Sequence, residues 1–210
     1  MTHNPLDAMF ETASAPGDFA RAYLGHLGQV LARLDEAQIA RFIELLLEAR
    51  ERGAAIFFLG NGGSAATASH FANDIAIGTR SPDKPFRALA LTDNAAAMTA
   101  IANDDGYEQL FVQQLAVLMR QGDVVVAISA AGNSPNVLAA IEHANAKGAV
   151  TVGLTGFDGG RLKALASHVV HVPTEKGEYG PVEDAHMVLD HLVGSYLARR
   201  VRAERAHRDG

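Results

Sequence analysis

The chain has 210 residues, 48% of them hydrophobic and 20% charged, enough to bury one full core, so a single globular domain is expected over residues 1–210. A net charge of −6 without any run of lysine or arginine excludes a phosphate-backbone footprint, and no nucleic-acid partner is expected. The lack of cysteine removes disulfides, a thiolate nucleophile and a Cys-ligated zinc, and with neither a leader-like pattern in residues 1–17 nor an apolar run long enough for a bilayer, the reading is a cytoplasmic protein with no membrane partner.

After a polar start, "DFARAYLGHLGQVLARLDEAQIARFIELLLEARERG" repeats Leu, Ile and Phe at three- and four-residue steps. This predicts a helical arm over about 17–52, stopped by Gly53. Its large apolar residues, among them Leu31, Leu34, Ile39, Phe42, Leu45, Leu46 and Leu47, exceed one narrow stripe, which predicts that part of the arm packs on another copy of the chain. Short apolar runs then alternate with helix-length segments: 54–60, 87–91, 123–129, 149–155 and 168–172. Runs that are apolar on both faces predict parallel strands covered on both sides. The fold class is therefore α/β, a doubly wound parallel sheet of about five strands in a core over about 54–175, with "GTRSPDKPFR" (78–87) as its clear Pro-bearing loop. A last helix is predicted over about 183–202.

In such a sheet ligands gather beyond the carboxyl ends of the strands. The first run ends in Gly60-Asn61-Gly62-Gly63-Ser64, where glycines let a ligand approach the backbone and Ser64 can cap the following helix. The third ends in "AISAAGNSPNV" (127–137), where Ser129, Gly132, Asn133 and Ser134 precede a helix opening near Pro135. Uncharged small residues at a helix start leave backbone N–H groups facing a ligand, which is an anion site without Lys or Arg. Two such loops on one sheet edge point to a phosphorylated small molecule. Neither G-x-G-x-x-G nor the P-loop lysine is present, so no nucleotide cofactor is expected.

His70 and Asp74 are four apart in a helical pattern and share one face, suited either to ligating one ion or to an ordinary helical hydrogen bond. Glu183 and His191 are eight apart, about 12 Å along a straight helix. They reach one ion only if Glu183 precedes the helix proper or its side chain reaches back. His186, three from Glu183 and four from Asp190, reads as a surface or interface pairing, and His26, His143 and His168 as amphipathic or surface residues.

The segments "GNGGSAATASHF", "TAIANDDGYEQLF", "AISAAGNSPNV" and "VGLTGFDGG", in their places along most of the chain, resemble the SIS (sugar isomerase) domain family, and within it the bacterial phosphoheptose isomerases. The resemblance implies a homotetramer with active sites at subunit interfaces, a zinc ion, and conversion of sedoheptulose 7-phosphate to a manno-heptose 7-phosphate serving lipopolysaccharide or another surface glycan. It also implies that Asn61, Gly62, Gly63 and Ser64, with Ser129, Ala130, Ala131 and Ser134, hold substrate and phosphate, that Asn103 and Asp104 contact the sugar, and that His70, Asp74, Glu183 and His191 occupy the metal and acid/base positions, Glu183 touching substrate as well. Three positions depart from the pattern. Ala131 replaces a serine, Asp74 a glutamate one methylene longer, and Glu183 a glutamine.

Aldose–ketose interconversion needs a base at the carbon beside the carbonyl and an acid at the neighbouring oxygen. Asp74 and His191 are the expected pair, with Asp93 and Asp104 as further carboxylates; Asp104 in "ANDDG" equally suits a turn. Two other readings stand beside this one. One is a non-catalytic SIS protein, a sugar-phosphate sensor or a partner of the bacterial replication initiator, which needs the phosphate loops but not an acid/base pair. The other is an isomerase of a different ketose phosphate.

Overall fold

The computed structural model describes residues 4–209. The expected N-terminal arm is divided. α1 (Pro5–Thr12) precedes it, and the arm itself splits into α2 (Pro16–Leu31) and α3 (Glu36–Arg52). The break lies at Asp35, whose carboxylate accepts the amides of Ala37 (2.9 Å) and Gln38 (3.3 Å) and so starts a new helix. Gly53, at φ 66°, ends α3 as expected.

Strands and helices then alternate: β1 (Ala55–Gly60), α4 (Gly63–Asn73), β2 (Arg87–Ala90), α5 (Ala95–Asp104), α6 (Val112–Leu118), β3 (Val124–Ser129), α7 (Pro135–Ala146), β4 (Val150–Phe157), α8 (Gly160–Leu165), β5 (His168–Pro173) and α9 (Tyr179–Asp209). The five predicted strands are the five observed, each within about two residues at its ends. They form one parallel sheet in the order β2-β1-β3-β4-β5. α9 is longer than the 183–202 expected, opening before Glu183 and running on past Arg202.

Alternate strand residues serve opposite faces. Ile56, Phe58, Val124 and Val126 pack with Phe42, Phe71 and Leu189 under α3, α4 and α9. Phe57, Leu59, Val125 and Ala127 pack with Leu115, Val137 and Ile141 under α6 and α7. Both faces are therefore dry, as the continuous apolar runs require. The chain leaves β1 for α4 on one face and leaves β3 for α7 on the other. Adjacent β1 and β3 thus flank a topological switch point, and the crevice between their outgoing loops is where such a sheet receives a ligand.

The far end of α9 is anchored by Arg50 of α3. Its buried guanidinium donates to Glu204 (2.7 Å), to Ser81 Oγ (3.1 Å) and to the carbonyl of Lys84 (2.9 Å). Among the described residues no helix is long and apolar enough to cross a membrane.

Two sequence readings are corrected by packing. Ile39, Phe42, Leu45 and Leu46 are buried in this chain's own core, and Leu31, Leu34 and Leu47 pack partly against it, so they give no surplus for a neighbouring subunit. Sheet, α3 and α9 together form a wider groove than the single stripe that the periodicity suggested. His186 forms no surface pairing: on the inward face of α9 it is wholly buried, with Nε2 3.4 Å from the carbonyl oxygen of Thr155.

Candidate active site

The two loops at the switch point are joined to each other. Asn61 and Asn136 exchange reciprocal amide hydrogen bonds of 2.9 Å each, and Tyr107 Oη donates to Asn61 Oδ1 (3.1 Å). Asn136 is buried and also accepts the amide of Val137 (3.0 Å). Asn61, expected to hold substrate, therefore has its side chain spent on bracing the β1–α4 loop against the β3–α7 loop. Asn136 and Tyr107 were not singled out from sequence; an amide side chain directly after the helix-opening Pro135 was the available signal.

The helix start after β1 lies two residues earlier than expected. Gly62, at φ 55°, is the cap and Gly63 the first helical residue, so Ser64 sits inside α4, buried, rather than capping it. At the second loop the expectation holds: Pro135 opens α7 and Ser134 is its cap residue. The Ser134 side chain makes no capping bond, so the first turn's amides, which a helix leaves without internal partners, are not covered by its hydroxyl.

This loop is locked to the next strand's exit. Ser129 Oγ accepts the amide of Gly132 (3.1 Å), the carbonyl of Ala130 accepts that of Gly156 (2.9 Å), and Gly132 carbonyl accepts that of Leu162 (2.9 Å). Gly132 has φ 63°, and a Cβ built on it would stand 2.0 Å from the carbonyl oxygen of Gly159, so no side chain fits. Beside it a hollow of about 310 Å³ is lined by Ala131, Asn133, Lys176, Phe157 and Tyr179 among others. Phe157 takes φ 53°, a conformation that costs a bulky residue energy, and its ring meets Tyr179 edge-on at 5.0 Å. Asn103 and Asp104 are exposed at the end of α5 and bond to each other (2.7 Å).

The titratable cluster lies between α4 and α9, which run side by side with each partner 120 positions further along the chain. Glu183 meets Gly63, Asp190 meets His70, and Gly194 meets Asp74. One ligand atom from each of His70, Asp74, Asp190 and His191 can be chosen so that all lie within 4.8 Å of one another. The rings of His70 and His191 meet edge to face at 5.2 Å. Glu183 does not join them. It lies inside α9 rather than before it, about two turns before His191, and a Cβ on Gly63 would stand 2.3 Å from Glu183 Oε2, so its carboxylate rests at the start of α4. Neither condition under which Glu183 and His191 could meet on one ion is satisfied in this chain, and Asp190 stands in the position that Glu183 was expected to fill.

The His70–Asp74 pairing is also replaced. His70 Nδ1 hydrogen-bonds Asp190 Oδ2, while Asp74 Oδ2 is 3.8 Å away. Asp190 is completely buried, Asp74 30% exposed and His70 43% exposed, so Asp74 is the carboxylate that a substrate can reach. The bond to Asp190 raises the His70 pKa. Burial raises Asp190 above the usual carboxylate range, with the same bond opposing it. Asp74 begins a π-helical turn, Asp74–Gly78, that widens the backbone where α4 ends. Two imidazoles and two carboxylates are a suitable donor set for zinc, and Asp190 Oδ1 is a buried oxygen without a hydrogen-bond partner among the described residues, so the residues present fit such an ion.

The SIS domain family model matches residues 19–156. The chain is 32% identical over 192 residues to the phosphoheptose isomerase of Maridesulfovibrio salexigens, covering 91% of this chain and 89% of that one. It is 41% identical over 156 residues to that of Nitratidesulfovibrio vulgaris, covering 73% and 74%. Among solved structures it is similar to the phosphoheptose isomerase of Neisseria gonorrhoeae, with 30% identity, a TM-score of 0.79, and coverage of 87% of this chain and 98% of that one.

Proposed function

The chain belongs to the SIS domain family, as an aldose–ketose isomerase of its phosphoheptose branch, and from that premise we propose how its own residues isomerise sedoheptulose 7-phosphate to D-glycero-D-manno-heptose 7-phosphate. The observation that carries the reading is the gathering of His70, Asp74 and His191 on facing helices, one of which, α4, leads directly out of the first glycine-rich loop. The phosphate rests on the first-turn amides of α7 and the 129–134 loop, including Ser129, Ala130, Ala131 and Ser134, where a helix start favours an anion without a fixed cation. Gly62, Gly63 and Ser64 form the opposite wall, with Glu183 behind them, and Asn103 and Asp104 face the sugar.

Asp74 removes a proton from C1 of the ketose, the electron pair forms the C1–C2 double bond of the enediol, and His191 gives a proton to the C2 oxygen. In the second half the C1 hydroxyl loses its proton, the carbonyl forms at C1, and C2 takes up a proton. His70, Asp74 and His191 would hold a zinc ion, which supplies Lewis-acid stabilisation of the oxygen that becomes negative. The working assembly in this reading is a cytoplasmic homotetramer whose product enters surface-glycan synthesis.

The test is Asp74→Asn, which keeps the side chain's size and removes the base. Turnover should fall by about 10²-fold or more while sugar-phosphate binding by calorimetry persists. A wild-type protein that binds five-, six- and seven-carbon ketose phosphates but turns over none of them would replace the enzyme by a sugar-phosphate sensor. Faster turnover of a five- or six-carbon ketose would keep the mechanism and change the substrate.

A further inference from the structure

The hydrogen bond between His70 and Asp190 has a consequence for every group around it. An imidazole at this site has two ring nitrogens and one proton when neutral, and which nitrogen keeps the proton is decided by the partner on the other. His70 Nδ1 has two carboxylates to choose from. Asp190 Oδ2 is in hydrogen-bonding contact and Asp74 Oδ2 is at 3.8 Å, beyond hydrogen-bonding distance. Asp190 is wholly buried, so water does not compete for it, and its second oxygen, Oδ1, has no hydrogen-bond partner among the described residues. Its helix is fixed at both ends of this seam, by Glu183 against Gly63 and by Gly194 against Asp74.

We propose that Asp190 is a positioning residue that holds His70 as the tautomer protonated on Nδ1. This leaves the ring's lone pair on His70 Nε2 and leaves Asp74 free of His70. The inference deepens the proposed function and rests on it where it concerns the ion. It also gives the short side chain at position 74 a reason to work. An aspartate four residues after a histidine on one helix face would otherwise be available as the histidine's own partner, and a base occupied in that way is a weaker one. With Asp190 taking the Nδ1 proton from the facing helix, the carboxylate of Asp74 is not engaged by that ring. A histidine ligand whose far nitrogen donates to a carboxylate is also held in orientation and made more basic.

The test reads the His70 ring directly in the full chain, stripped of metal and at alkaline pH, where the imidazole is neutral. Nitrogen chemical shifts should show Nδ1 protonated and Nε2 bare in the wild type. Asp190→Ala removes the acceptor and should abolish that preference; Asp190→Asn keeps a neutral acceptor and should retain it. Zinc affinity, measured by competition with a chromophoric chelator, should fall about 10- to 100-fold in the alanine variant and recover in large part in the asparagine variant. A wild-type His70 protonated on Nε2, or an alanine variant with unchanged tautomer and unchanged zinc affinity, overturns the proposal. If the alanine variant does not fold, the wild-type and asparagine spectra still decide it. Wild-type protein that binds no zinc removes the metal from the proposed function, while the nitrogen shifts go on to decide the role of Asp190.

Discussion

His186 shows how much of this protein's pH response is set by single side chains. Burial on the inward face of α9 pushes its pKa down to about 4 from 6.5, so the folded protein holds it neutral in a range where the unfolded chain would protonate it. The unfolded state then binds more protons below pH 6.5. Stability is complete above that value and is lost as the pH falls toward 4, by on the order of 3 kcal/mol. His186→Phe removes the titrating group. Urea unfolding followed from pH 7 to pH 4.5 should show the wild type losing stability relative to this variant, and parallel curves for the two proteins would contradict the assignment. The same helix carries buried Asp190 and exposed His191 about one turn later, so its residues divide between a dry face and a solvent-facing one.

At the scale of elements, the site depends on loops that brace each other more than on the residues that were expected to touch the ligand. The β1–α4 loop is joined to the first turn of α7 through Asn61 and Asn136, and the β3–α7 loop is joined in turn to the start of α8 through Gly132 and Leu162. Gly132→Ala meets both a left-handed backbone and the carbonyl of Gly159. It should cost about 1–3 kcal/mol of stability, and calorimetry should show sugar-phosphate affinity lost even where the variant remains folded. Full affinity in a folded Gly132→Ala protein would move the phosphate away from this loop. The seam between α4 and α9 is the second elemental device, because its constant offset places Gly63 with Glu183, His70 with Asp190 and Asp74 with Gly194. A change in that register would separate His70 and Asp74 from the α9 residues they face.

At the scale of the whole molecule, exposed apolar side chains of the N-terminal helices lie on α1 and α2 rather than on α3, and others stand on α6 (Val117, Leu118) and α9 (Leu192, Tyr196). Phe10 is 74% exposed and Leu24 67%, and Phe10 stacks edge-on with Phe19 at 6.5 Å across the two helices. Covering such side chains in a neighbouring subunit contributes about 1.5–3 kcal/mol each. Light scattering at micromolar concentration should return a tetramer mass, and Phe10→Ser with Leu24→Ser should shift the population to smaller species. A monomeric wild type would end the tetramer proposal.

The sequence by itself determined the architecture, because continuous apolar runs separated by helix-length segments can be satisfied only by a parallel sheet with both faces covered. It also located the two glycine-bearing turns after β1 and β3, since Gly62 and Gly132 supply backbone that other residues resist, and Pro135 marks a helix start by its own geometry. The break at Asp35 was legible too, as a capping residue inside a periodic stretch, although the periodicity on either side outweighed it. Only the tertiary structure decided the rest. The apolar residues of α3 look excessive on a helical wheel and are not, because a sheet and a second helix enclose them. Asp190 lies 120 residues from His70, and no local spacing reveals a contact made by two helices lying parallel. The same register keeps Glu183 away from His191: side chains on one rigid helix keep their 1.5 Å rise per residue, so which of them meet a distant histidine is fixed by how the helix is docked.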